Sequence, residues 1–490
     1  MRGLPRERTV APVARLRHLV VVIPGIGGSV LETLDGTPAW GQGRRALVGA
    51  ALNPTRLSLA EHPTLRPVGL VASTRVLPWQ VVPGYDGLIR QIVNAFRLHD
   101  TDVDVARDDT EPNSGASVLL FGYDFRAGVP AAAERLHAAI ERRLAGLTGD
   151  ARRKKVIIVA HSMGGLVARY WLGPLHGAAS CRALVTLGTP HRGAPRALDW
   201  LVNGVRLGPG PMGALSGRLL GPATEVLREW PSTYHLLPRY RAVRDEATGE
   251  ELYPHELGTA SWQPFTTRAA EAFGMHRDIE DSWAELDEPA RPEVLAMFAR
   301  GHGTAGRAVL AGGRVRVTKD DAEWLPNVGW RGDGTVPALS AFPIEVADDV
   351  RARRAVPDRH GPMAASTVAV DVLREYEGEP TGSVRGDTPE RPWLGLDFDD
   401  VLAAGEPFPV AAQLLGADDV EGAVAWLRIT PDDGDTPAPR APLRMSGSDG
   451  RWEATVPALA PGRYRLAVEA VDVPRVDQVD GTDVIGVIEG

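Results

Sequence analysis

The 490-residue chain is poor in three residue types: it has one cysteine, three lysines and only 6% aromatic residues. The single cysteine, Cys181, excludes an intrachain disulfide and cysteine-based metal clusters, and it is typical of a reducing compartment. The net charge of −9 argues against nucleic acid as the main partner. No apolar run is long enough to span a bilayer, and no apolar region of signal-peptide length follows the first basic residues. These absences predict a cytoplasmic protein. Peripheral contact of this protein with a membrane surface is compatible with the same absences.

The length predicts at least two domains. From residue 19 to about 377, short apolar runs alternate with helical patterns, which predicts an α/β domain over residues 1–378 with a parallel sheet. The predicted strands lie at 18–23, 117–122, 155–159 and 183–187, and the predicted helices at 131–147, 165–172 and 364–376. Residues near 40–83 and 200–305 break this alternation. We interpret them as inserted cap, or lid, segments over the site. Plain hydrophobic core is the alternative for residues 200–305.

A change of composition near residue 378 indicates a second domain. Residues 379–394 are interpreted as a linker because they are rich in Gly, Pro and polar residues. After them, short apolar runs at 408–414, 423–429, 452–456 and 463–471 alternate with turn residues, which predicts an immunoglobulin-like all-β sandwich over residues 395–490. Tyr464 stands where a tyrosine corner would lie. This domain shows no catalytic constellation, and it is a candidate site for a protein or glycan partner.

The most informative stretch is V-I-I-V-A-H-S-M-G-G at residues 156–165. A β-branched apolar run ends at a turn with Ser162 at its apex, and a helical pattern follows. This strand–turn–helix context is typical of a nucleophile elbow, in which small residues flank the serine because a branched side chain would clash. Ala160 replaces the first glycine of the usual G-x-S-x-G pattern. Ser162 as a plain helix N-cap is the alternative, but that reading leaves the strand and both glycines unexplained.

A nucleophilic serine needs a base, and the base needs an orienting acid. In folds with this elbow the chain order is Ser, then Asp or Glu, then His. Asp333 lies in G-D-G-T-V-P, where two glycines let the carboxylate point inward, although Gly-Asp-Gly is also an ordinary turn. His360 is the one histidine that follows Asp333, so we predict that it is the base. His191, after the next strand, is the main rival. We predict that it lines the substrate site, and a structural role is the alternative.

The developing oxyanion needs backbone N–H donors. The amide of Met163, directly after the serine, is one candidate. The loop P-G-I-G-G after the first strand supplies the other, with Ile26 as first choice and Gly27 as second. A phosphate-binding loop is the alternative, but the Gly-Lys-Ser/Thr ending of such loops is missing. This chemistry requires no metal and no organic cofactor.

Together these motifs resemble the lecithin:cholesterol acyltransferase-like family of α/β-hydrolases, which includes phospholipid:diacylglycerol acyltransferases and lysosomal phospholipase A2. The resemblance runs in order over roughly residues 19–377. It is carried by I-P-G at 23–25, G-S at 28–29, L-E at 31–32, Y-D-F-R at 123–126, A-H-S-M-G-G at 160–165, P-S at 231–232, L-L-P at 236–238, G-D-G-T-V-P at 332–337 and His360. Eukaryotic members carry disulfides near the site, which one cysteine excludes here, and the C-terminal domain lies outside the resemblance.

The resemblance implies an α/β-hydrolase fold and transfer of an acyl group from a lipid ester to Ser162, then to water or an alcohol. We therefore predict a lipase, esterase or O-acyltransferase with Ser162, Asp333 and His360 as its triad, acting on a lipid or ester substrate. Two alternatives stay open: a carboxylesterase for small soluble esters, and an inactive hydrolase fold that serves as an interaction protein. We also expect residues 1–385 alone to hydrolyse a small soluble ester.

Overall fold

The computed structural model describes residues 16–41, 53–77, 80–82, 84–206, 220–258, 263–325, 331–378, 392–399, 401–417, 419–431 and 441–488. The helices are α1 (Asp86–Phe96), α2 (Val129–Leu144), α3 (Gly164–Leu172), α4 (Pro195–Asn203), α5 (Gly221–Glu229), α6 (Pro231–His235), α7 (Gln263–Glu285), α8 (His360–Met363) and α9 (Thr367–Tyr376).

The strands of the part before the predicted linker are β1 (Leu19–Ile23), β2 (Ser29–Glu32), β3 (Pro38–Trp40), β4 (Arg66–Leu70), β5 (Thr74–Leu77), β6 (Gln80–Val82), β7 (Val103–Val105), β8 (Val118–Leu120), β9 (Val156–His161), β10 (Cys181–Leu187), β11 (Val243–Asp245), β12 (Glu251–Leu252), β13 (Glu293–Ala299), β14 (Arg307–Ala311), β15 (Arg314–Thr318) and β16 (Arg353–Val356). Those after it are β17 (Trp393–Asp397), β18 (Val401–Ala403), β19 (Phe408–Leu415), β20 (Val424–Pro431), β21 (Leu443–Arg444), β22 (Ser446–Ser448), β23 (Arg451–Val456), β24 (Gly462–Val473) and β25 (Asp477–Ile488).

A seven-stranded sheet with the order β16-β13-β10-β9-β1-β8-β7 forms the centre of the first part. All of its neighbouring pairs are parallel. Strands β1 and β9 are buried at every position, as expected for a parallel sheet that is covered on both faces. The predicted α/β fold is therefore confirmed.

Two apolar cores cover the two faces of this sheet. In β1, Val21 and Ile23 belong to the core that includes α2 and α3, whereas Val20 and Val22 belong to the core that includes α1 and α9. Successive side chains of a strand point to opposite faces, so one short apolar run serves both cores. The elbow between β9 and α3 is thereby fixed inside the molecule.

The two predicted cap ranges contain small sheets and helices. Residues 40–83 contribute β4 to an antiparallel sheet with β2 and β3, and they contain the β5–β6 hairpin. Residues 200–305 contain α5, α6, α7 and the short strands β11 and β12, but also β13, which pairs with β10 in the central sheet. The prediction that residues 200–305 form an inserted cap was wrong for β13, which is a strand of the central sheet. The helix α7, which the sequence pattern also did not reveal, buries weakly hydrophobic residues such as Ala269, Ala272 and His276, which conceal its helical stripe.

The strands after residue 392 form two sheets around one shared core, which confirms the predicted β-sandwich. One sheet has the order β17-β19-β23-β22 and the other β18-β25-β24-β20-β21. The alternating strands β19 and β24 place Val410, Leu466 and Val468 in the shared core. The hydroxyl of Tyr464 donates to Ala460 O at 3.0 Å, as a tyrosine corner does.

The predicted boundary between the two domains stays a prediction, because residues 379–391 of the predicted linker lie outside the described residues. Trp262, within the predicted cap range 200–305, is outside them too. None of the described helices is both long and apolar enough to cross a membrane.

Candidate active site

Ser162 follows the last residue of β9 and has a left-handed backbone conformation, with φ at 53°. Its N–H donates to Leu187 O at 2.9 Å, which ties the turn to the end of β10. A Cβ on Gly165 would lie 2.1 Å from Thr189 Oγ1, so only glycine fits there without rearrangement. A strained non-glycine residue held by its surroundings is the geometry of a nucleophile elbow.

The loops after β15 and β16 bring Asp333 and His360 to this serine. Ser162 Oγ lies 3.0 Å from His360 Nε2, and His360 Nδ1 lies 2.7 Å from Asp333 Oδ2. The backbone N–H of His360 also donates to Asp333 O at 2.9 Å. The three residues predicted to act together, which lie up to 198 residues apart, therefore form one continuous hydrogen-bonded line.

The second oxygen of Asp333 accepts two backbone hydrogen bonds, from Val336 N–H at 2.7 Å and from Thr335 N–H at 2.9 Å. Burial would raise the pKa of Asp333, but His360 and these two amides outweigh it and hold the pKa below its usual value. The carboxylate is therefore ionised at neutral pH. It can hold the N–H of His360 Nδ1 while Nε2 faces Ser162.

The loop after β1 packs directly against the elbow. A Cβ on Gly25 would lie 2.8 Å from Ser162 Cβ, so the predicted donors Ile26 and Gly27 follow the closest point of this loop. Trp40 Nε1 donates to Gly27 O at 2.7 Å, which fixes the orientation of that peptide. Met163 is fully buried at the start of α3. The function of these amides in an oxyanion hole stays a prediction.

Tyr85, to which no sequence motif pointed, connects this loop to the elbow. Tyr85 Oη accepts from Gly25 N–H at 2.8 Å and lies 2.8 Å from His161 Nδ1, and His161 Nε2 lies 3.0 Å from His360 O. Burial lowers the pKa of His161 to about 3. Neutral His161 thus accepts from the Tyr85 hydroxyl and donates to the backbone of His360. The motif gave no signal for Tyr85, which is 76 residues distant from His161.

Two residues after β10 have different roles. Gly188, with φ at 57°, lies against the hydrogen bond between Asp333 and His360. A Cβ there would be 2.8 Å from Asp333 Oδ2 and 3.1 Å from His360 Nδ1. His191 Nε2 lies 3.1 Å from Thr186 Oγ1, and burial lowers its pKa well below the usual value. The hydrogen bond described for His191 therefore goes to the end of β10. Its predicted contact with substrate stays a prediction.

Two motifs that carried the family resemblance are structural in this molecule. Arg126, fully buried, binds Asp124 through Nε and Nη2 at 2.8 and 2.7 Å, and its Nη1 donates to His62 O at 2.9 Å. The L-L-P segment contacts the loop after His191, where Ala194 N–H donates to Leu236 O at 2.8 Å. Both motifs fasten the cap segments to the central sheet.

Sequence comparison supports the fold for part of the chain. Residues 78–206 match the family described as PGAP1-like alpha/beta domain. This range contains Ser162 but ends before Asp333 and His360. No curated protein sequence matches the chain.

Three solved structures align with the protein at low identity. A lipase from Bacillus licheniformis in its propeptide form is 11% identical, with 97% of this chain and 94% of that chain covered and a TM-score of 0.37. The CARDB domain of a Pyrococcus furiosus protein is 13% identical, with 20% of this chain and 94% of that chain covered and a TM-score of 0.16. A superoxide reductase from Ignicoccus hospitalis is 10% identical, with 20% and 80% covered and a TM-score of 0.16. These scores are too low to carry an argument about function.

The parallel sheet, the elbow and the PGAP1-like match define the first part of the chain as an α/β-hydrolase domain.

Proposed function

We propose that this protein is a serine hydrolase or O-acyltransferase that forms an acyl-enzyme on Ser162. The observation that carries the proposal is the hydrogen-bonded line of Ser162, His360 and Asp333, with distances of 3.0 and 2.7 Å between the participating atoms. These distances match those of a nucleophile, a general base and an orienting acid.

In the proposed reaction His360 Nε2 takes the proton of Ser162 Oγ while Oγ attacks the acyl carbonyl carbon. The negative charge of the tetrahedral intermediate lies on the former carbonyl oxygen, where the amides of Met163 and of Ile26 or Gly27 donate to it. The intermediate collapses as the C–O bond to the leaving alcohol breaks, and His360 returns its proton to that alcohol. Asp333 holds the imidazole in one tautomer and stabilises its protonated form.

In the second half of the reaction, His360 removes a proton from water or from an acceptor alcohol, which attacks the acyl-enzyme. The products are then a free acid or a new ester, and Ser162 recovers its proton. Both outcomes use the same three residues. The two activities are distinguished by supplying an acceptor alcohol and measuring the ratio of new ester to acid.

For the substrate we propose a lipid acyl ester at a membrane surface, which the resemblance to the lecithin:cholesterol acyltransferase-like family supports. One observation favours the alternative of a small soluble ester. Trp230 and Trp283 in the cap are only 5% and 4% exposed and belong to the hydrophobic core. Tryptophans that pack as core do not line a groove for an acyl chain.

The chain-length profile of kcat/KM on p-nitrophenyl esters separates these two substrates. A lipid esterase gains with each methylene it buries, by up to about 0.8 kcal/mol, so kcat/KM rises from acetate to octanoate and rises further with a lipid surface. A preference for acetate that vesicles do not change supports the small-ester enzyme and rejects the lipid substrate.

Labelling with a fluorophosphonate tests the nucleophile itself. We expect one covalent adduct on the wild-type protein, located at Ser162 by peptide mass spectrometry, and no adduct on Ser162→Ala. A folded wild-type protein that neither reacts with the probe nor cleaves any ester would reject the enzyme and favour the inactive interaction protein.

A further inference from the structure

Arg359, the residue before His360, joins the β-sandwich to both loops of the proposed triad. Its Nε lies 3.2 Å from Asp483 Oδ2 on β25, and the two side chains are 8% and 14% exposed. The guanidinium stacks over Phe398 at 4.6 Å. A Cβ on Gly334 would lie 2.9 Å from Arg359 Nη2, so the same guanidinium also packs on the turn of Asp333.

His302 forms a second connection that is independent of Arg359. Its Nδ1 accepts from Leu396 N–H on β17 at 3.0 Å, and its Nε2 donates to Pro357 O at 2.9 Å, shortly before His360 in the chain. Its backbone pairs with Gly332, beside Asp333, through N–O distances of 3.1 and 3.4 Å. The imidazole of His302 therefore connects β17 to the loop of His360, and its backbone adds the turn of Asp333.

His302 can hold this position because it is neutral. The side chain is buried, and burial, followed by the charge of Arg359, lowers the pKa to about 4. A neutral imidazole offers one acceptor and one donor, which matches its two partners.

The contacts continue along β17. Arg331, two residues before Asp333, lies 2.8 Å from Asp397, and Lys319 lies 2.7 Å from the same carboxylate. A Cβ on Gly395 would lie 2.6 Å from the carbonyl of Gly301, so the backbones touch there. The sandwich therefore packs against the chain segments that carry Asp333 and His360.

We infer that the C-terminal β-sandwich aligns Asp333 and His360 for catalysis, with Arg359, Asp483 and His302 as positioning residues. The inference rests on the proposed function, because it assigns a role relative to that triad. A base works only while Nε2 stays within hydrogen-bonding distance of the serine, and a displacement of about 1 Å can cost roughly 100-fold in rate. The expectation that residues 1–385 suffice for activity is thereby replaced.

The test compares conservative variants of the ion pair in the full chain. Asp483→Asn keeps the shape of the side chain but removes its charge, Arg359→Ala removes the guanidinium, and Arg359→Lys restores a cation. Glu469→Gln is the matched control, since Glu469 lies on β24 of the same sandwich and pairs with Arg428 at 3.8 Å. For each protein we would measure kcat and KM on a soluble p-nitrophenyl ester, the rate of fluorophosphonate labelling and the unfolding midpoint.

We expect kcat and the labelling rate to fall roughly 10- to 100-fold in Asp483→Asn and Arg359→Ala, with KM nearly unchanged. Arg359→Lys should recover part of the loss. The double variant Arg359→Ala/Asp483→Asn should be no slower than the slower single variant, because the two residues act as one pair. Glu469→Gln should match the wild type.

Wild-type kcat in folded Asp483→Asn would overturn the inference, and so would a lower unfolding midpoint with kcat unchanged. A higher KM at constant kcat would also overturn it, because it would place the pair in substrate binding. If Arg359→Ala fails to fold, Asp483→Asn and Arg359→Lys decide the result. A wild-type protein that the probe does not label refutes the proposed function instead, so the two failures are distinguishable.

Discussion

The two halves of the candidate site are built in different ways. Ser162 is held by a contiguous segment, in which β9, a turn and α3 follow one another and small residues fit the close contacts. Asp333 and His360 lie on separate loops, which His302 and Arg359 connect to each other and to the sandwich. The position of Ser162 can thus be encoded locally, whereas the positions of Asp333 and His360 depend on distant parts of the chain.

Removing the hydroxyl of Ser162 should have the largest effect on kcat. We expect Ser162→Ala to lower kcat by at least about 10⁴-fold, because no other group replaces its oxygen in the covalent step. The unfolding midpoint should not fall, since alanine is no larger than serine. Ester hydrolysis and thermal unfolding measured on one preparation check this. Activity close to wild type in Ser162→Ala would place the nucleophile elsewhere.

Substitution of Asp333 or His360 should lower kcat almost as much. Asp333→Asn leaves the shape intact but no longer stabilises protonated His360, and we expect kcat to fall by about 10³- to 10⁴-fold. His360→Ala should be similarly impaired. Adding either change to Ser162→Ala should cause little further loss, because the three residues act as a unit.

His191→Ala is the control for this assignment of the base. If it proved as damaging to acylation as Ser162→Ala while His360→Ala stayed active, the base would be His191.

Tyr85 joins the two halves, and Tyr464 provides a matched comparison. Tyr85→Phe leaves Gly25 N–H and His161 Nδ1 without their partner, which costs about 1–3 kcal/mol and loosens the contact with His360. Tyr464→Phe also removes one phenolic hydroxyl, which donates to Ala460 O within the β-sandwich. We expect both variants to lose stability in urea unfolding. Only Tyr85→Phe should also lose kcat, and equal kcat in the two variants would contradict this.

Acid should selectively weaken the contacts of His302 that hold the loops of Asp333 and His360. The folded-state pKa of His302, about 4 through burial and Arg359, lies below its ordinary value of 6.5. Between these values the unfolded chain binds more protons, so stability is complete above about pH 6.5 and falls as the pH drops toward 4. Relative to pH 7, one such histidine lowers the free energy of unfolding by about 2 kcal/mol at pH 5.

Protonated His302 also has no acceptor for Leu396 N–H. Hydrogen exchange of Leu396, corrected for the intrinsic effect of pH, should therefore lose protection between pH 7 and pH 5. Amides of β24 are the control, because residues 395–490 contain no histidine. Equal protection of both at pH 5 would show that His302 does not respond to acid.

Several elements of the fold could be predicted from the sequence. Apolar runs at 18–23 and 155–159 became β1 and β9, with ends shifted by one or two residues. Buried strands of a parallel sheet can be predicted because one apolar run must serve both faces of the sheet. The 23 residues of α7 were missed because alanine and histidine occupy part of the buried face.

The residues of the candidate site could likewise be predicted only where a local motif encodes them. The elbow motif and the order of residues led to Ser162, Asp333 and His360, which the structure brings together, although their catalytic roles stay a prediction. Tyr85, Gly188 and the ion pair of Arg359 with Asp483 were not found. Each contacts residues remote in sequence, and neither hydrophobic period nor local motif encodes such a contact.

The pair of Arg359 and Asp483 also sets an order in time. A ribosome makes the chain from its first residue onward, and domains generally fold as they emerge. The elbow and both loops are therefore synthesised well before β25, which carries Asp483. A nascent chain holds its serine in place before the opposite loops receive their last contact. Under the proposed function, the contacts that align Asp333 and His360 would be complete only once translation has passed residue 483.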